Sequence, residues 1–156
     1  MIFWRVLFWL RCHTDSRKLG RFMIVVTGFI RSAEGREALK RSIEEVRQRG
    51  GRLIVVHSSE GGTSESAVDV LADNEELERI HAELSAEGID HEVMDFARGS
   101  TPAEDVVSVA NESKADLIVI GLRRRSLVGK LLLGSNAQDI LMQADCPVLV
   151  VKPSIA

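Results

Sequence analysis

The sequence predicts a single-domain α/β protein, a three-layer sandwich in which a five-stranded parallel sheet lies between helices. Three observations support this prediction. Short runs of β-branched residues alternate with longer segments of helical periodicity, a pattern typical of parallel strands joined by right-handed crossovers. The length of 156 residues fits one domain with a sizeable core. A composition of 45% hydrophobic and 28% charged residues is typical of a soluble globular protein.

The first half of the chain predicts two strands and two helices. Met23–Thr27 is a short β-branched run that ends at Gly28, as expected of a buried parallel strand. Apolar residues then recur at three- and four-residue steps between Ser32 and Gly50, which predicts an amphipathic helix. Leu53–His57 is a second strand, followed by turn residues and a helix of roughly fifteen residues.

The second half of the chain continues the alternation. His91–Phe96 alternates apolar with polar residues, which suits a less buried edge strand. Thr101 and Pro102 supply a hydroxyl at the N-cap of a third helix and a proline at its first position. The remaining predicted elements are a strand at Leu117–Ile120, a helix from about Ser135 to Ala144 and a strand at Val148–Val151.

We divide the chain into a leader at residues 1–22, a domain at residues 23–152 and a tail at residues 153–156. In the leader, Arg5 and Arg11 bracket an apolar run of only five residues, Val6–Leu10. This run is too short for a signal peptide or for a membrane span of about 20 apolar residues. It fits either a basic-aromatic membrane-surface anchor or a non-native leader. We favour the non-native leader, because the domain pattern begins immediately at Met23.

Charge and cysteine content narrow the classes of function. Residues 1–22 carry a formal charge of +4, which leaves −7 for the remainder of a chain whose net charge is −3. An acidic body argues against nucleic-acid binding, which depends on many cationic contacts with phosphate. Neither Cys12 nor Cys146 has a CxxC partner or a histidine at metal-ligand spacing. We therefore expect no disulfide, no zinc site and a cytoplasmic location.

The stretch Leu117–Asn136 carries the strongest functional signal. An apolar run ends at Gly121, a basic loop follows, and Gly134 and Ser135 precede the last helix. In a parallel sheet, the end of such a strand and the start of the next helix face one crevice, where backbone N–H groups attract anions. The loop adds the positive charges of Arg123, Arg124, Arg125 and Lys130. This arrangement predicts a phosphate site.

The spacing of this stretch resembles a known motif. It resembles the G-x2-G-x9-G-S/T signature of ATP-binding universal stress proteins, whose spacing is that of Gly121, Arg124, Gly134 and Ser135. Arg124 stands in place of the second glycine. The resemblance extends from Met23 to about residue 152. It implies the strand order 3-2-1-4-5 and a Rossmann-like fold of the adenine nucleotide alpha-hydrolase type. It also implies a regulatory or stress-resistance factor that binds ATP or another adenine nucleotide, with or without Mg²⁺.

The resemblance assigns nucleotide contacts to individual residues. Ile120 and Gly121 would lie against the ribose and phosphates, and Arg123 and Arg124 would reach the phosphate chain. Backbone and hydroxyl groups for the phosphates would come from Gly134, Ser135 and Asn136. The residues bordering the adenine would be Gly28, Phe29, Ile30 and Ser58. Family members often have an aspartate near the position of Ile30, so this chain lacks one polar contact with the nucleotide.

The same stretch has a simpler interpretation. Gly121 also fits an ordinary strand end, Gly134-Ser135 an ordinary helix cap, and the arginines a solvated loop. We favour nucleotide binding because the spacing, the basic loop and the alternating pattern agree with one another. We expect Arg124 to bind phosphate rather than to fill its space, because the backbone donors of the last helix do not depend on it.

No catalytic set is predicted. The four histidines fit surface or strand-end positions better than the role of a base; they are His13, His57, His81 and His91. The loop also lacks the G-x4-G-K-S/T form of a P-loop, so no lysine is placed for phosphoryl transfer. Two alternatives stay open: a dimeric interaction module that acts without a nucleotide, and a slow adenine-nucleotide hydrolase.

The family resemblance further implies a homodimer paired through Val148–Val151. This apolar edge strand would otherwise present unpaired backbone groups to solvent, which proteins usually avoid. We expect no membrane partner unless the leader is native.

Overall fold

A computed structural model describes residues 22–59, 66–97, 99–122 and 133–153. Within these ranges it contains five strands and four helices in the predicted order. Apart from Phe22 and Pro153, the predicted leader and tail lie outside the described residues. The basic loop with Arg123 and Arg124 lies outside them as well.

The strands form one parallel sheet. They are β1 (Met23–Phe29), β2 (Gly51–Ser59), β3 (Asp90–Ala97), β4 (Leu117–Gly121) and β5 (Val148–Val151). Their order is β3-β2-β1-β4-β5, and every neighbouring pair is parallel. The predicted fold class and strand order are thus confirmed. Strand β3 lies at one edge and is only partly buried, as its alternating pattern predicts.

Strand β1 lies at the centre of the sheet and extends beyond its predicted end at Thr27. The prediction that Gly28 stops this strand is wrong, because Gly28 pairs with Val56 on one side and Ile120 on the other. A Cβ at Gly28 would lie only 3.3 Å from Val106. The glycine therefore allows close packing within the strand rather than ending it.

The helices are α1 (Ala33–Arg49), α2 (Ala67–Ala86), α3 (Pro102–Ser113) and α4 (Ser135–Gln143). Side chains cap three of them, since Ser32, Ser66 and Thr101 each accept a hydrogen bond of 3.2 Å from the N–H three residues later. Thr101 and Glu104 form a reciprocal capping box, and Pro102 is the first residue of α3, as predicted. Helix α1 ends at Gly50, where a φ of 69° favours glycine.

Helix α2 is longer than predicted, with 20 residues instead of roughly fifteen. Its buried apolar residues, Leu77, Ile80 and Leu84, lie in the C-terminal half. Val68 and Leu71, near its start, are 73% and 62% exposed. Because these early turns bury no apolar stripe, hydrophobic periodicity could not show where the helix begins.

Two hydrophobic cores cover the two faces of the sheet. Helices α1 and α2 pack on one face, against strand residues that include Val25, Leu53 and Val119. Helices α3 and α4 pack on the opposite face, against residues that include Val26 and Ile118. Each strand of the sheet centre is therefore buried on both sides, which accounts for the continuous apolar runs in the sequence.

Cys146, between α4 and β5, packs against the α3/α4 core and is partly buried. This burial raises the pKa of its thiol, so the unreactive thiol is favoured over the thiolate. None of the described helices combines the length and the apolar character that a membrane span requires.

The capping box gives a first prediction. Thr101→Ala removes the side chain that accepts from the Glu104 N–H, so we expect the free energy of unfolding to fall by about 1 kcal/mol. Urea denaturation followed by circular dichroism measures this change. Ser100→Ala, which removes a neighbouring exposed hydroxyl, is the control and should change the free energy by less than about 0.5 kcal/mol. Equal effects of the two substitutions would contradict the capping role.

Candidate functional site

A cavity of about 670 Å³ opens at the carboxyl ends of β1, β2 and β4. It lies where the sheet order reverses, with β2 on one side of β1 and β4 on the other. Open parallel sheets usually bind ligands at such a point. The volume is within the range of small-molecule sites in proteins, about 300–1,000 Å³.

Most of the predicted site residues line this cavity. From the strand ends come Gly28, Phe29, Ile30, Ser58, Ile120 and Gly121, and from the start of α4 come Gly134, Ser135 and Asn136. The structure thus brings together residues that are up to 108 positions apart in the chain. Arg123 and Arg124, the two predicted phosphate-binding arginines, lie outside the described residues.

Phe29 contributes differently from its two neighbours. Its side chain is only 2% exposed and packs in the core formed with α1 and α2. Side chains alternate between the two faces of a strand, so Gly28 lies on the opposite face from the Phe29 side chain. Phe29 therefore borders the cavity mainly through its backbone.

Several apolar lining residues were missed by the motif analysis. They are Val56, Pro102, Val106, Leu133, Ala137 and Ile140. Val56 could have been predicted, because it lies two residues before Ser58 and side chains two residues apart share a face of a strand. The helix residues carried no such signal, since an apolar helix face predicts packing and does not distinguish a core from a cavity wall.

The start of α4 differs from the other helix starts. Its N-cap is Gly134, and no side chain of the described residues makes a capping hydrogen bond there. Ser135 is the first helical residue, so its hydroxyl does not serve as the N-cap. The first N–H groups of any helix have no acceptor within the helix. At α4 the residues of the first turn, Ser135 and Asn136, line the cavity.

Gly121 is required by packing as well as by the cavity. Its φ is not positive, so the left-handed conformation that glycine would permit is not used. A Cβ on Gly121 would lie 2.8 Å from the Glu34 Cβ and closer still to the Glu34 carbonyl group. The start of α1 thus packs directly on the end of β4.

Ser58 is fixed by a buried carboxylate. Its hydroxyl donates to Asp105 Oδ2 over 2.6 Å, and Asp105 is only 8% exposed. A hydroxyl–carboxylate hydrogen bond of this length is typical of a charge-assisted interaction. Asp105 belongs to the first turn of α3, where the helix dipole favours a negative charge.

An ion-pair network lies at the end of β2, beside Ser58. His57 Nδ1 is 2.8 Å from Asp95 Oδ1, and its Nε2 is 3.9 Å from Asp73 Oδ2. Arg31 donates to the same Asp73 over 2.6 Å, and this hydrogen bond raises the pKa of the Arg31 guanidinium above its ordinary value. His57 lies two residues before the end of β2, which extends beyond its predicted end at His57, and it is paired with carboxylates.

Within the described ranges, no group of three or more histidine, cysteine, aspartate or glutamate side chains is arranged to hold a metal ion. The arrangement that the described residues do provide is an apolar cavity with backbone donors at one end and a hydroxyl at the other.

Comparison with known proteins gives a consistent result. A profile of the universal stress protein family matches residues 21–152. A universal stress protein from Mycolicibacterium smegmatis is 35% identical over 131 residues, covering 83% of this chain and 98% of that protein.

Solved structures are similar as well. The universal stress protein from Archaeoglobus fulgidus in complex with dAMP is 32% identical with a TM-score of 0.65, covering 85% of this chain and 98% of that one. A universal stress protein in complex with cAMP is 25% identical with a TM-score of 0.64, at the same coverage.

The glycines of the cavity give a second prediction. Gly121→Ala places a Cβ against the Glu34 backbone, so we expect the free energy of unfolding to fall by about 1–3 kcal/mol. A Cβ at Gly134 would meet no atom within 4 Å among the residues that the structure describes, so Gly134→Ala is the matched control. It should cost less than about 1 kcal/mol, the difference in N-cap preference. Thermal and urea unfolding of the two variants measure the effect, and a larger loss for Gly134→Ala would contradict this packing.

Proposed function

Since the chain belongs to the universal stress protein family, we propose that it binds an adenine nucleotide in the cavity at the carboxyl ends of β1, β2 and β4. The observation that carries the proposal is the uncapped start of α4 at one end of an apolar cavity of nucleotide size. The dAMP and cAMP complexes of two related proteins support the choice of an adenine nucleotide.

The phosphate end of the proposed site lies at α4. Backbone N–H groups at a helix start attract anions through hydrogen bonds and through the helix dipole. Gly134 has no side chain, and no atom of the described residues lies within 4 Å of a Cβ added there. A phosphate can therefore approach the backbone of the first turn, with the Ser135 hydroxyl as a further donor. Arg123 and Arg124 would add charge from the basic loop.

The base end of the proposed site lies over β1 and β2. Val56, Val106 and Ile120 provide apolar surface there. An aromatic base gains from burial against such surface, by about 25 cal/mol for each Å² removed from water. The two ends together match the amphipathic character of a nucleotide.

The finer parts of the proposal follow from family membership. They are ATP as a ligand, with or without Mg²⁺, and a regulatory or stress-resistance role in the cytoplasm. The motif spacing between Gly121 and Ser135 supports ATP in particular. Regulation by binding, without turnover, is consistent with a site made of backbone donors and apolar side chains.

A homodimer through β5 is also part of the proposal. Strand β5 lies at the edge of the sheet, and its outward side has no neighbouring strand among the described residues. The backbone oxygens of Pro147 and Val151 accept hydrogen bonds from the N–H groups of Ile118 in β4 and of Leu122, which follows β4. Because bonding directions alternate along a strand, the backbone of Val148 and Val150 points outward. Leu141 and Met142 of α4 are 41% and 84% exposed, which adds apolar surface on the adjoining helix.

The nucleotide site gives a third prediction. Ser135→Asp puts a carboxylate in the first turn of α4, where it repels phosphate but interacts favourably with the helix dipole. Near a protein surface, two like charges about 4 Å apart repel by about 4 kcal/mol. We expect the affinity for ATP and AMP to fall by about tenfold or more. The free energy of unfolding should stay the same or rise by about 0.3–1 kcal/mol.

Isothermal titration calorimetry and urea unfolding measure the two quantities. Gln48→Glu adds the same charge at an exposed position of α1 and should leave the affinity unchanged. If wild-type protein shows no saturable binding up to millimolar nucleotide, the proposed function is wrong and the nucleotide-independent module is favoured.

The dimer gives a fourth prediction. Val150→Pro removes an outward-pointing N–H and no hydrogen bond to β4. Edge strands tolerate a proline at such a position. We expect the wild type to elute as a dimer and the variant as a monomer in size-exclusion chromatography with light scattering. Val150→Ala keeps the N–H and should remain dimeric. A monomeric wild type at micromolar concentration would refute the proposed dimer.

A further inference from the structure

Two histidines meet between α2 and the edge strand β3. His91 Nε2 lies 2.8 Å from His81 Nδ1, and the ring centroids are 4.8 Å apart at an interplanar angle of 55°. His81 is an exposed residue of α2, and His91, the second residue of β3, is half-buried. The proposed nucleotide site does not use this pair, because His91 lies near the amino end of its strand and the cavity lies at the carboxyl ends.

The local fold holds the two rings next to each other. His91 is paired with Leu53 in the sheet, and Leu53 belongs to the core under α1 and α2. Paired residues of neighbouring strands share a face of the sheet, so His91 lies on the face that α2 covers. Three residues, 87–89, connect α2 to β3, and the Ile89 N–H donates to the Leu84 carbonyl oxygen over 3.0 Å. The fold therefore brings the two histidines together before any ligand binds.

One hydrogen bond determines which nitrogen of His91 can take a ligand. Its Nδ1 lies 2.7 Å from the Ile89 carbonyl oxygen, which can only accept, so Nδ1 carries the proton. Nε2 of the neutral ring then has a lone pair, and His81 Nδ1 donates to it. A histidine whose Nδ1–H is bound by a backbone carbonyl is a common form of metal ligand, because this bond fixes the ring orientation and makes Nε2 more basic.

The separation of the two facing nitrogens fits adjacent corners of a square metal site. Two nitrogens that each lie about 2.0 Å from a metal are about 2.8 Å apart at a right angle and about 3.3 Å apart at a tetrahedral angle. The observed separation is 2.8 Å. Square arrangements of nitrogen and oxygen ligands are typical of Cu²⁺ and Ni²⁺, whereas structural Zn²⁺ sites are tetrahedral.

We propose that His81 and His91 bind a Cu²⁺ or Ni²⁺ ion through His81 Nδ1 and His91 Nε2. On binding, the His81 proton moves through solvent from Nδ1 to the other ring nitrogen, so both facing nitrogens have a lone pair and no net proton is released. The rings turn so that both lone pairs point to the ion. Since no third histidine, cysteine, aspartate or glutamate of the described residues joins the pair, water completes the coordination.

The ion links α2 to the edge strand, so its binding also stabilises the fold. A ligand that prefers the folded chain to the unfolded chain raises the melting temperature. At a Ni²⁺ concentration of about ten times Kd, we expect the melting temperature to rise by about 3 °C or more. Thermal unfolding of the full chain with NiCl₂ measures this shift, which excess EDTA should reverse.

Variants locate the ion. His81→Gln keeps a donor for His91 Nε2 but removes the imidazole, so the affinity for Ni²⁺ in isothermal titration calorimetry should fall by about tenfold or more. His91→Ala should have the same effect. His13→Ala removes a histidine of the leader and is the matched control, which should leave the affinity unchanged.

Electron paramagnetic resonance identifies the ligands directly. With less than one equivalent of CuCl₂, the spectrum should show two nitrogen ligands in the wild type and in His13→Ala. It should show one at most in His81→Gln and in His91→Ala.

Three results would overturn the proposal. An unchanged affinity in His81→Gln or in His91→Ala would show that the pair is a hydrogen bond and not a metal site. Loss of binding in His13→Ala alone would place the ion in the leader. No saturable binding by the wild type with up to millimolar NiCl₂ or CuCl₂ would refute the site outright. If His91→Ala unfolds, as circular dichroism would reveal, the comparison of His81→Gln with His13→Ala decides alone.

Discussion

The two-sided hydrogen bonding of β1 is the constraint on which the rest of the structure depends. Its register aligns Val25 with Leu53 of β2 and with Leu117 of β4. The chain leaves β1 through α1 on one face of the sheet and returns to its other side through α3 on the opposite face. This reversal leaves the carboxyl end of β1 uncovered, and the cavity lies there.

Close packing at that end determines which residues can border the cavity. A Cβ added at Gly28 would lie 3.3 Å from Val106, and a Cβ added at Gly121 would meet the backbone of Glu34. Both glycines would thus be needed even in a protein that bound no ligand. The start of α4 is different, because in the described part of the chain nothing lies within 4 Å of a Cβ added at Gly134 and no side chain caps the helix. Among these glycines, Gly134 is the one whose surroundings favour a ligand over packing.

The strand order and most cavity residues could be predicted from the sequence. The alternation of apolar runs with helical periodicity predicted the sheet, and the resemblance predicted the order of its strands. The motif also predicted that Gly121 and Gly134 would meet. The extension of β1 through Gly28 was not predicted. A glycine within a short apolar run gives no information about its pairing with β2 and β4, which are distant in the sequence. The bond between Ser58 and Asp105 was missed for the same reason, since 47 residues separate them in the chain. Interactions of this kind arise from the packing of α3 on the sheet and leave no periodic pattern.

The division of the core into two layers has a consequence for how such a protein can diversify. The layer of α1 and α2 buries Phe29, Leu53 and Leu84 without bordering much of the cavity. The opposite layer supplies Val56, Val106 and Ile140 to the cavity wall. Substitutions that reshape the wall therefore leave one whole layer intact as a scaffold. The ligand specificity of the cavity can therefore change during evolution, while the sheet and the α1/α2 layer preserve the fold.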